Sequence, residues 1–110
     1  MSRPTEALRR SAPVFAALGD ATRLHVVSRL SGEGPLSITE LTEGSDVTRQ
    51  AVTKHLEVLA EAGLVRDVWQ GRARVWELKT KQLEEARRAL DLVSAQWDHA
   101  LERLRKMVEE

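Results

Sequence analysis

The chain has 110 residues, enough for one compact domain with little room for a second. Basic and acidic residues number 17 each, so any surface that attracts nucleic acid must be a local one. Cysteine is absent, which excludes disulfides, thiolate metal sites and cysteine nucleophiles. No stretch has the roughly 20 apolar residues of a membrane helix, or the apolar run of a signal peptide. We therefore expect a cytoplasmic protein without membrane contact.

The first half of the chain contains signals for three helices. Apolar residues at helical spacing predict a first helix that ends at Gly19. Asp20 is well placed as the N-cap of a second helix, because its carboxylate can accept free amides of the first turn. Ser37 and Glu40 form a capping-box pattern, which predicts the start of a short third helix.

The second half of the chain begins with the best-defined helix. Apolar residues recur at helical spacing over residues 51–62, with Thr48 as the N-cap and Gly63 as the stop. Two strand-like runs within residues 64–78 flank a glycine-containing turn, which predicts a hairpin. From about Thr80 onward there is no Gly or Pro, and apolar residues three and four apart form a long amphipathic stripe.

This order of elements predicts a fold that is mainly α-helical with a small β-hairpin wing. Helices and strands in the order α-α-α-α-β-β-α are typical of a winged helix-turn-helix. We assign residues 1–110 to a single domain, with the helix-turn-helix at 37–62, the wing at 64–79 and a C-terminal dimerisation helix at 80–110.

The fourth helix and the hairpin tip both carry polar and basic side chains. The major groove of B-DNA is about 12 Å wide and admits one helix, whose exposed face reads base edges. A basic hairpin tip suits phosphates or the minor groove. Either feature alone is usually a solvated surface, but both in this order indicate double-stranded DNA as the partner. The predicted DNA-binding residues are Thr48, Arg49, Gln50, Thr53, Lys54, His55, Arg72 and Arg74.

The length of the last helix predicts a homodimer. About 28 residues make a helix about 42 Å long, more than a domain this small can cover. Its uncovered apolar stripe, together with apolar residues of the first helix, should pack against a second copy. Two-fold symmetry would then place two recognition helices about 34–36 Å apart on a palindromic operator. The predicted interface residues are Val14, Phe15, Leu18, Leu90, Val93, Trp97, Leu101 and Leu104.

Three motifs resemble the ArsR-type (arsenical repressor) family over about residues 13–79. They are LGDATR at 18–23, VTKHLEVL at 52–59 with AGLV at 62–65, and GRARVW at 71–76. The resemblance implies a homodimeric repressor that leaves an imperfect palindrome when an inducer or a modification intervenes. It also implies that the DNA-reading positions are those named above. Many members sense metals through a cysteine pair, which residues 41–44 lack. Residues 48–55 and 94–97 look like a metal-independent branch, whose members are often encoded beside a START-like ligand-binding protein.

Other functions are less well supported by the sequence. Paired catalytic carboxylates, phosphate-binding glycine loops and activated nucleophiles are missing, so we expect neither an enzyme nor a cofactor. His99 and Glu102 have the i, i+3 spacing of a metal-ligand pair, but one histidine on a charged helix is ordinarily solvated. A winged helix can also bind proteins, although such a surface should be more apolar than this basic helix. Trp69 and Trp76 flank the wing tip, and we expect both to pack it against the domain.

Overall fold

The computed structural model describes residues 3–109, with side chains from Thr5 onward. Over this range the elements follow one another in the predicted order, and the two strands form one antiparallel hairpin. The elements are α1 (Arg3–Leu18), α2 (Ala21–Glu33), α3 (Ile38–Thr42), α4 (Arg49–Glu61), β1 (Val65–Gln70), β2 (Ala73–Leu78) and α5 (Lys81–Glu109). The predicted winged helix-turn-helix architecture is confirmed.

Side-chain caps fix where three of the helices begin. The carboxylate of Asp20 accepts the backbone N–H of Arg23 at 3.0 Å, which starts α2. At α3 both halves of the capping box are present: the amide of Glu40 donates to the Ser37 hydroxyl at 3.1 Å, and the amide of Ser37 donates to the Glu40 carboxylate at 3.0 Å. Thr48 caps α4 in the same manner as Asp20 caps α2. Each cap satisfies an amide that has no partner within its helix.

The core lies where α2, α3 and α4 meet the base of the hairpin. Leu56, Leu59 and Leu64 are fully buried there, because α4 turns its apolar face inward and the chain then enters β1. Backbone hydrogen bonds between Leu36 and Trp76, at 3.0 and 2.8 Å, attach the segment before α3 to strand β2. The wing is therefore fixed to the helix-turn-helix at its base.

The two terminal helices form a separate layer against this core. α1 packs on the first half of α5, where Ala86 and Ala89 are buried. The second half of α5 extends past the core, and the molecule measures 66 Å along its longest axis against 28 and 20 Å along the others. Within residues 3–109 no helix combines the length and the apolarity needed to cross a bilayer.

The predicted interface residues fall into two groups. On α1, Val14 is only 2% exposed and belongs to this chain's own core, while Phe15 and Leu18 are half-buried against it. These three side chains therefore have little surface to offer to another molecule. On α5, the apolar side chains of Leu90, Trp97, Leu101 and Leu104 are all more than half exposed, and Val93 is partly buried.

The prediction that both tryptophans pack the wing against the domain is half wrong. Trp76 is buried against the core beside Leu36, as expected. Trp69 is 71% exposed, because it stands further out on β1, where the hairpin has left the body of the domain.

Candidate nucleic-acid interface

The exposed face of α4 presents a polar surface with a rigid support behind it. Val52 and Leu56 fix the opposite face in the core, while Gln50 and Lys54 point into solvent. Thr53 is half-buried, and its hydroxyl donates to the carbonyl of Arg49 at 2.8 Å. The structure thus brings five of the predicted DNA-binding residues together at the start of one helix: Thr48, Arg49, Gln50, Thr53 and Lys54.

Arg49 is held in place by the neighbouring helix. Its Nη1 donates to the hydroxyl of Thr39 on α3 at 2.7 Å, which links the two helices of the helix-turn-helix across their turn. The guanidinium is therefore directed toward α3, whereas Gln50 and Lys54 lie along the open face of α4.

One edge of the His55 ring points from α4 toward the interior of the protein, at the start of α2. Its Nδ1 lies 3.4 Å from the Nη1 of Arg23 and 3.9 Å from the Oδ2 of Asp20. We predicted from sequence that His55 contacts DNA, but the structure uses this ring nitrogen to contact the start of α2. The ring is half-buried between the two helices.

Sequence reasoning missed Arg23 as a residue with a role of its own. Its Nε donates to the carbonyl of Ala17 at 2.5 Å and its Nη2 to that of Ala16 at 3.4 Å, at the end of α1. One side chain therefore joins α1, α2 and α4. The backbone N–H of Arg23, together with its positive charge, also lowers the pKa of Asp20 below its ordinary value of 3.8. A cation three residues after an N-cap is the only sequence signal, and it is common.

The wing carries three arginines in two different settings. At the tip, Arg72 is exposed and forms no ion pair within residues 3–109. Arg74 on β2 forms an ion pair with Asp67 on β1, and its guanidinium carbon lies 5.6 Å from the centre of the Trp76 ring. Arg66 pairs with Glu77 at 2.6 Å.

The pairing register places these two ion pairs on opposite faces of the hairpin. Asp67 lies opposite Trp76, and Trp69 lies opposite Arg74, so these four side chains share one face. Arg66 and Glu77 are a directly opposed pair on the other face.

A cleft separates the first of these faces from α3. Its walls are the first turn of α3 and the beginning of α4 on one side, and strand β2 on the other. The lining residues are Ser37, Ile38, Thr39, Arg49, Ala73, Arg74 and Trp76. The indole nitrogen of Trp76 is buried and has no hydrogen-bond partner within the described part of the chain.

Several proteins of similar sequence or fold are transcriptional regulators. A sequence model described as a helix-turn-helix domain matches residues 18–68. The HTH-type transcriptional regulator Rv2034 of Mycobacterium tuberculosis is 41% identical over 87 residues, covering 79% of this chain and 78% of that protein. The crystal structure of an ArsR family transcriptional regulator, RHA00566, has a TM-score of 0.69 at 30% identity and covers 89% of this chain and 97% of that one. An ArsR-like transcriptional regulator from Rhodococcus sp. RHA1 has a TM-score of 0.80 at 33% identity, covering 99% of this chain and 97% of that one.

The chain belongs to the ArsR-type family. It is a DNA-binding transcriptional regulator, which confirms the function predicted from the fourth helix and the hairpin. The exposed face of α4 and the wing of this ArsR-type regulator carry the residues that the sequence predicts to contact DNA.

His99 and Glu102 on α5 of this ArsR-type regulator have the spacing of a metal-ligand pair, but they belong to no cluster of ligands in the described part of the chain. Glu102 accepts hydrogen bonds from the guanidinium of Arg105 at 2.5 and 3.1 Å, and this contact lowers the pKa of its carboxyl. His99 is exposed. Within residues 3–109, no group of three or more histidine, aspartate or glutamate side chains is placed to hold a metal ion.

Proposed function

We propose that this regulator is a homodimeric repressor that binds an inverted-repeat operator, with α4 and the wing of each copy on one half-site. The observation that carries the proposal is an apolar row on α5, formed by the exposed side chains of Leu90, Trp97, Leu101 and Leu104. Trp97 is 64% exposed, and Leu101 and Leu104 are exposed to a similar degree. Isolated exposed apolar residues are ordinary, but a continuous row along a helix that extends past its own core supports a partner helix there.

A second copy is the partner that suits this row best. The row begins next to α1, and a two-fold axis lets identical stripes cover each other without any further protein. Two copies also double the number of DNA contacts, which a single short recognition helix needs for tight binding. Because chromosomal DNA is its partner, we expect the dimer to work in the cytoplasm.

Gln50 and Lys54 are the best candidates for reading bases. Both are exposed on α4, and neither forms a hydrogen bond or an ion pair to another described side chain. Gln can bind adenine with two hydrogen bonds, and Lys can bind guanine. The repressor activity is supported by the arsenical resistance operon repressor of Bacillus subtilis, which is 29% identical over 79 residues and covers 72% of this chain and 75% of that protein.

The proposal is tested by selecting bound sequences from a random duplex pool at near-physiological salt. We expect an enriched inverted repeat whose half-site centres lie about 10–10.5 base pairs apart. Gln50→Ala and Lys54→Ala should relax the base preference within each half-site, by about 1–3 kcal/mol per contact. Enrichment of a single unpaired site, or no enrichment at all, would contradict the repressor.

The oligomeric state is tested by sedimentation of two matched variants. Leu101→Lys places a charge in the apolar row and should give a monomer at micromolar concentration with weaker binding to the operator. Gln96→Lys introduces the same charge beside Trp97 but outside the row, and it should remain a dimer. A wild-type chain that sediments as a monomer would contradict the proposed dimer.

A further inference from the structure

We propose that the cleft between α3 and the wing binds the DNA backbone, with one phosphate between Arg49 and Arg74 and the adjoining deoxyribose against Trp69. This inference rests on the proposed DNA complex and assigns a particular set of contacts within it. The base-edge contacts of Gln50 and Lys54 are separate from it.

The two arginines approach the cleft from opposite walls. Arg49 lies at the start of α4, where Thr39 holds its Nη1 at 2.7 Å. Arg74 faces it from β2, and both side chains line the same cleft. A guanidinium presents several donors in a fixed plane, so a phosphate between two of them can accept from both.

The ion pair with Asp67 orients Arg74 without occupying all of its donors. Nε donates to Oδ2 of Asp67 at 2.6 Å, and Nη2 contacts the same oxygen. Nη1 forms no hydrogen bond to any residue between 3 and 109. The Trp76 ring under the guanidinium further restricts its plane. The remaining donor edge is thus preorganised for an anion.

Trp69 provides an apolar surface next to these cations. It lies directly opposite Arg74 in the hairpin, on the face that carries Trp76 and nearer to the wing tip. The indole of Trp69 is 71% exposed, and the contact of its apolar surface with water is unfavourable in the free protein. The deoxyribose is the apolar part of the DNA backbone, and it follows each phosphate along the strand. We therefore infer that a sugar covers Trp69 when the phosphate enters the cleft.

The opposite face of the hairpin provides a matched control. Arg66 is paired with Glu77 as Arg74 is with Asp67, and the two arginine side chains are 63% and 56% exposed. The variants Arg66→Ala and Arg74→Ala therefore remove the same charge, from the same hairpin, from an equally exposed and equally paired position. Only Arg74 lines the cleft.

The test is the salt dependence of binding to a duplex of about 30 base pairs, long enough for two half-sites. It uses the full chain and two duplexes, one with the selected site and one of random sequence. Arg74→Ala should weaken binding to both duplexes about tenfold and lower the salt slope by about 1 for each bound copy. Arg66→Ala should change the slope less than half as much. Thr39→Val, which releases Arg49, should behave like a weaker Arg74→Ala.

Trp69 is tested separately, because its contact is not ionic. Trp69→Ala should weaken binding to both duplexes several-fold with an unchanged salt slope, and Trp69→Phe should restore most of the affinity. Circular dichroism and thermal melting of each free variant check that the fold is intact. A single methylphosphonate in the bound strand should reduce wild-type affinity at one phosphate per half-site, and it should reduce the affinity of Arg74→Ala less, because only Arg49 still contacts that phosphate.

The outcomes separate the two proposals. Equal salt slopes for Arg66→Ala and Arg74→Ala, or wild-type affinity of Trp69→Ala, would overturn the proposed backbone contacts in the cleft. Either result would leave the proposed repressor function intact. A wild-type chain with no salt-dependent duplex binding would overturn the DNA complex itself.

Discussion

Arg23 is the residue that connects the recognition helix to the rest of the molecule. It donates to the end of α1, lies at the start of α2, and contacts His55 on α4. A rigid guanidinium suits this task because its donors point in several fixed directions. The orientation of α4 is therefore defined by a polar contact in addition to the apolar core beneath it.

We predict that Arg23 and His55 are energetically coupled. Arg23→Ala should lower the free energy of unfolding by about 1–2 kcal/mol, because two carbonyls at the end of α1 lose a charged donor. In a double-mutant cycle with His55→Ala, the coupling should be about 0.5–1 kcal/mol, measured by urea denaturation. A cycle of Arg23→Ala with Lys54→Ala should be additive, since Lys54 points away into solvent. Additivity in both cycles would show that the contact with His55 carries no energy.

At the scale of elements, the passage from α4 into the wing depends on one glycine. Gly63 has a φ of 78°, and a Cβ built on it would lie 3.0 Å from the Cγ of Gln82 on α5. A positive φ is costly for any residue with a Cβ. The chain leaves α4 here and enters β1 two residues later, so this backbone conformation sets the position of the wing relative to the recognition helix.

We predict opposite effects for the same substitution at two glycines. Gly63→Ala should lower the free energy of unfolding by about 1–2 kcal/mol, because strain in φ is added to the contact with Gln82. Gly32→Ala should raise it by about 0.5–1 kcal/mol, because Gly32 is helical and its Cβ would meet no atom within 4 Å. Repeating Gly63→Ala in a Gln82→Ala background separates strain from contact. If urea denaturation gave changes of the same sign in the free energy of unfolding for Gly63→Ala and Gly32→Ala, this account would be contradicted.

At the scale of the whole molecule, α5 is part of the domain and, in the dimer we propose, also the means of association. Its first half buries Ala86 and Ala89 against α1, while its second half carries the exposed apolar row. Folding and association of such a chain are linked, since burying the row in a dimer stabilises only the folded form.

We predict that the melting temperature depends on protein concentration. A tenfold increase in protein concentration should raise Tm by about 2–4 °C, because the free energy of association adds to the free energy of unfolding of a dimer of this size. Leu101→Lys should remove most of this dependence, and Gln96→Lys should keep it. Differential scanning calorimetry over two decades of concentration measures both. A Tm of the wild-type chain that stays constant over this range would contradict the linkage.

The sequence was most informative where a local signal determines the structure. The caps at Asp20, Ser37 and Thr48 could be predicted because an N-cap depends on three or four neighbouring residues. The helical period of α4 and the glycine turn of the wing gave the fold for the same reason. These signals also located the exposed face of α4.

Contacts between distant parts of the chain could not be predicted in the same way. The orientation of His55 depends on Arg23, which is 32 residues away. The burial of Val14 and the exposure of Trp69 depend on where α1 and the hairpin meet the core, which no periodicity shows. The cleft requires the register of Trp69 with Arg74 and the position of α3 beside it.

The extended shape of α5 has a mechanical consequence for a dimer that meets along it. Its 29 residues make a rod about 43 Å long, fixed at one end to the body that carries α4. A rotation of about 5° over about 40 Å displaces the far end by about 3.5 Å, close to the rise of one base pair. If two such rods cross, a small change in their crossing angle moves the two DNA-binding bodies together or apart. In the dimer we propose, the angle at which they cross would set the number of base pairs between the half-sites, with no change in the residues that touch DNA.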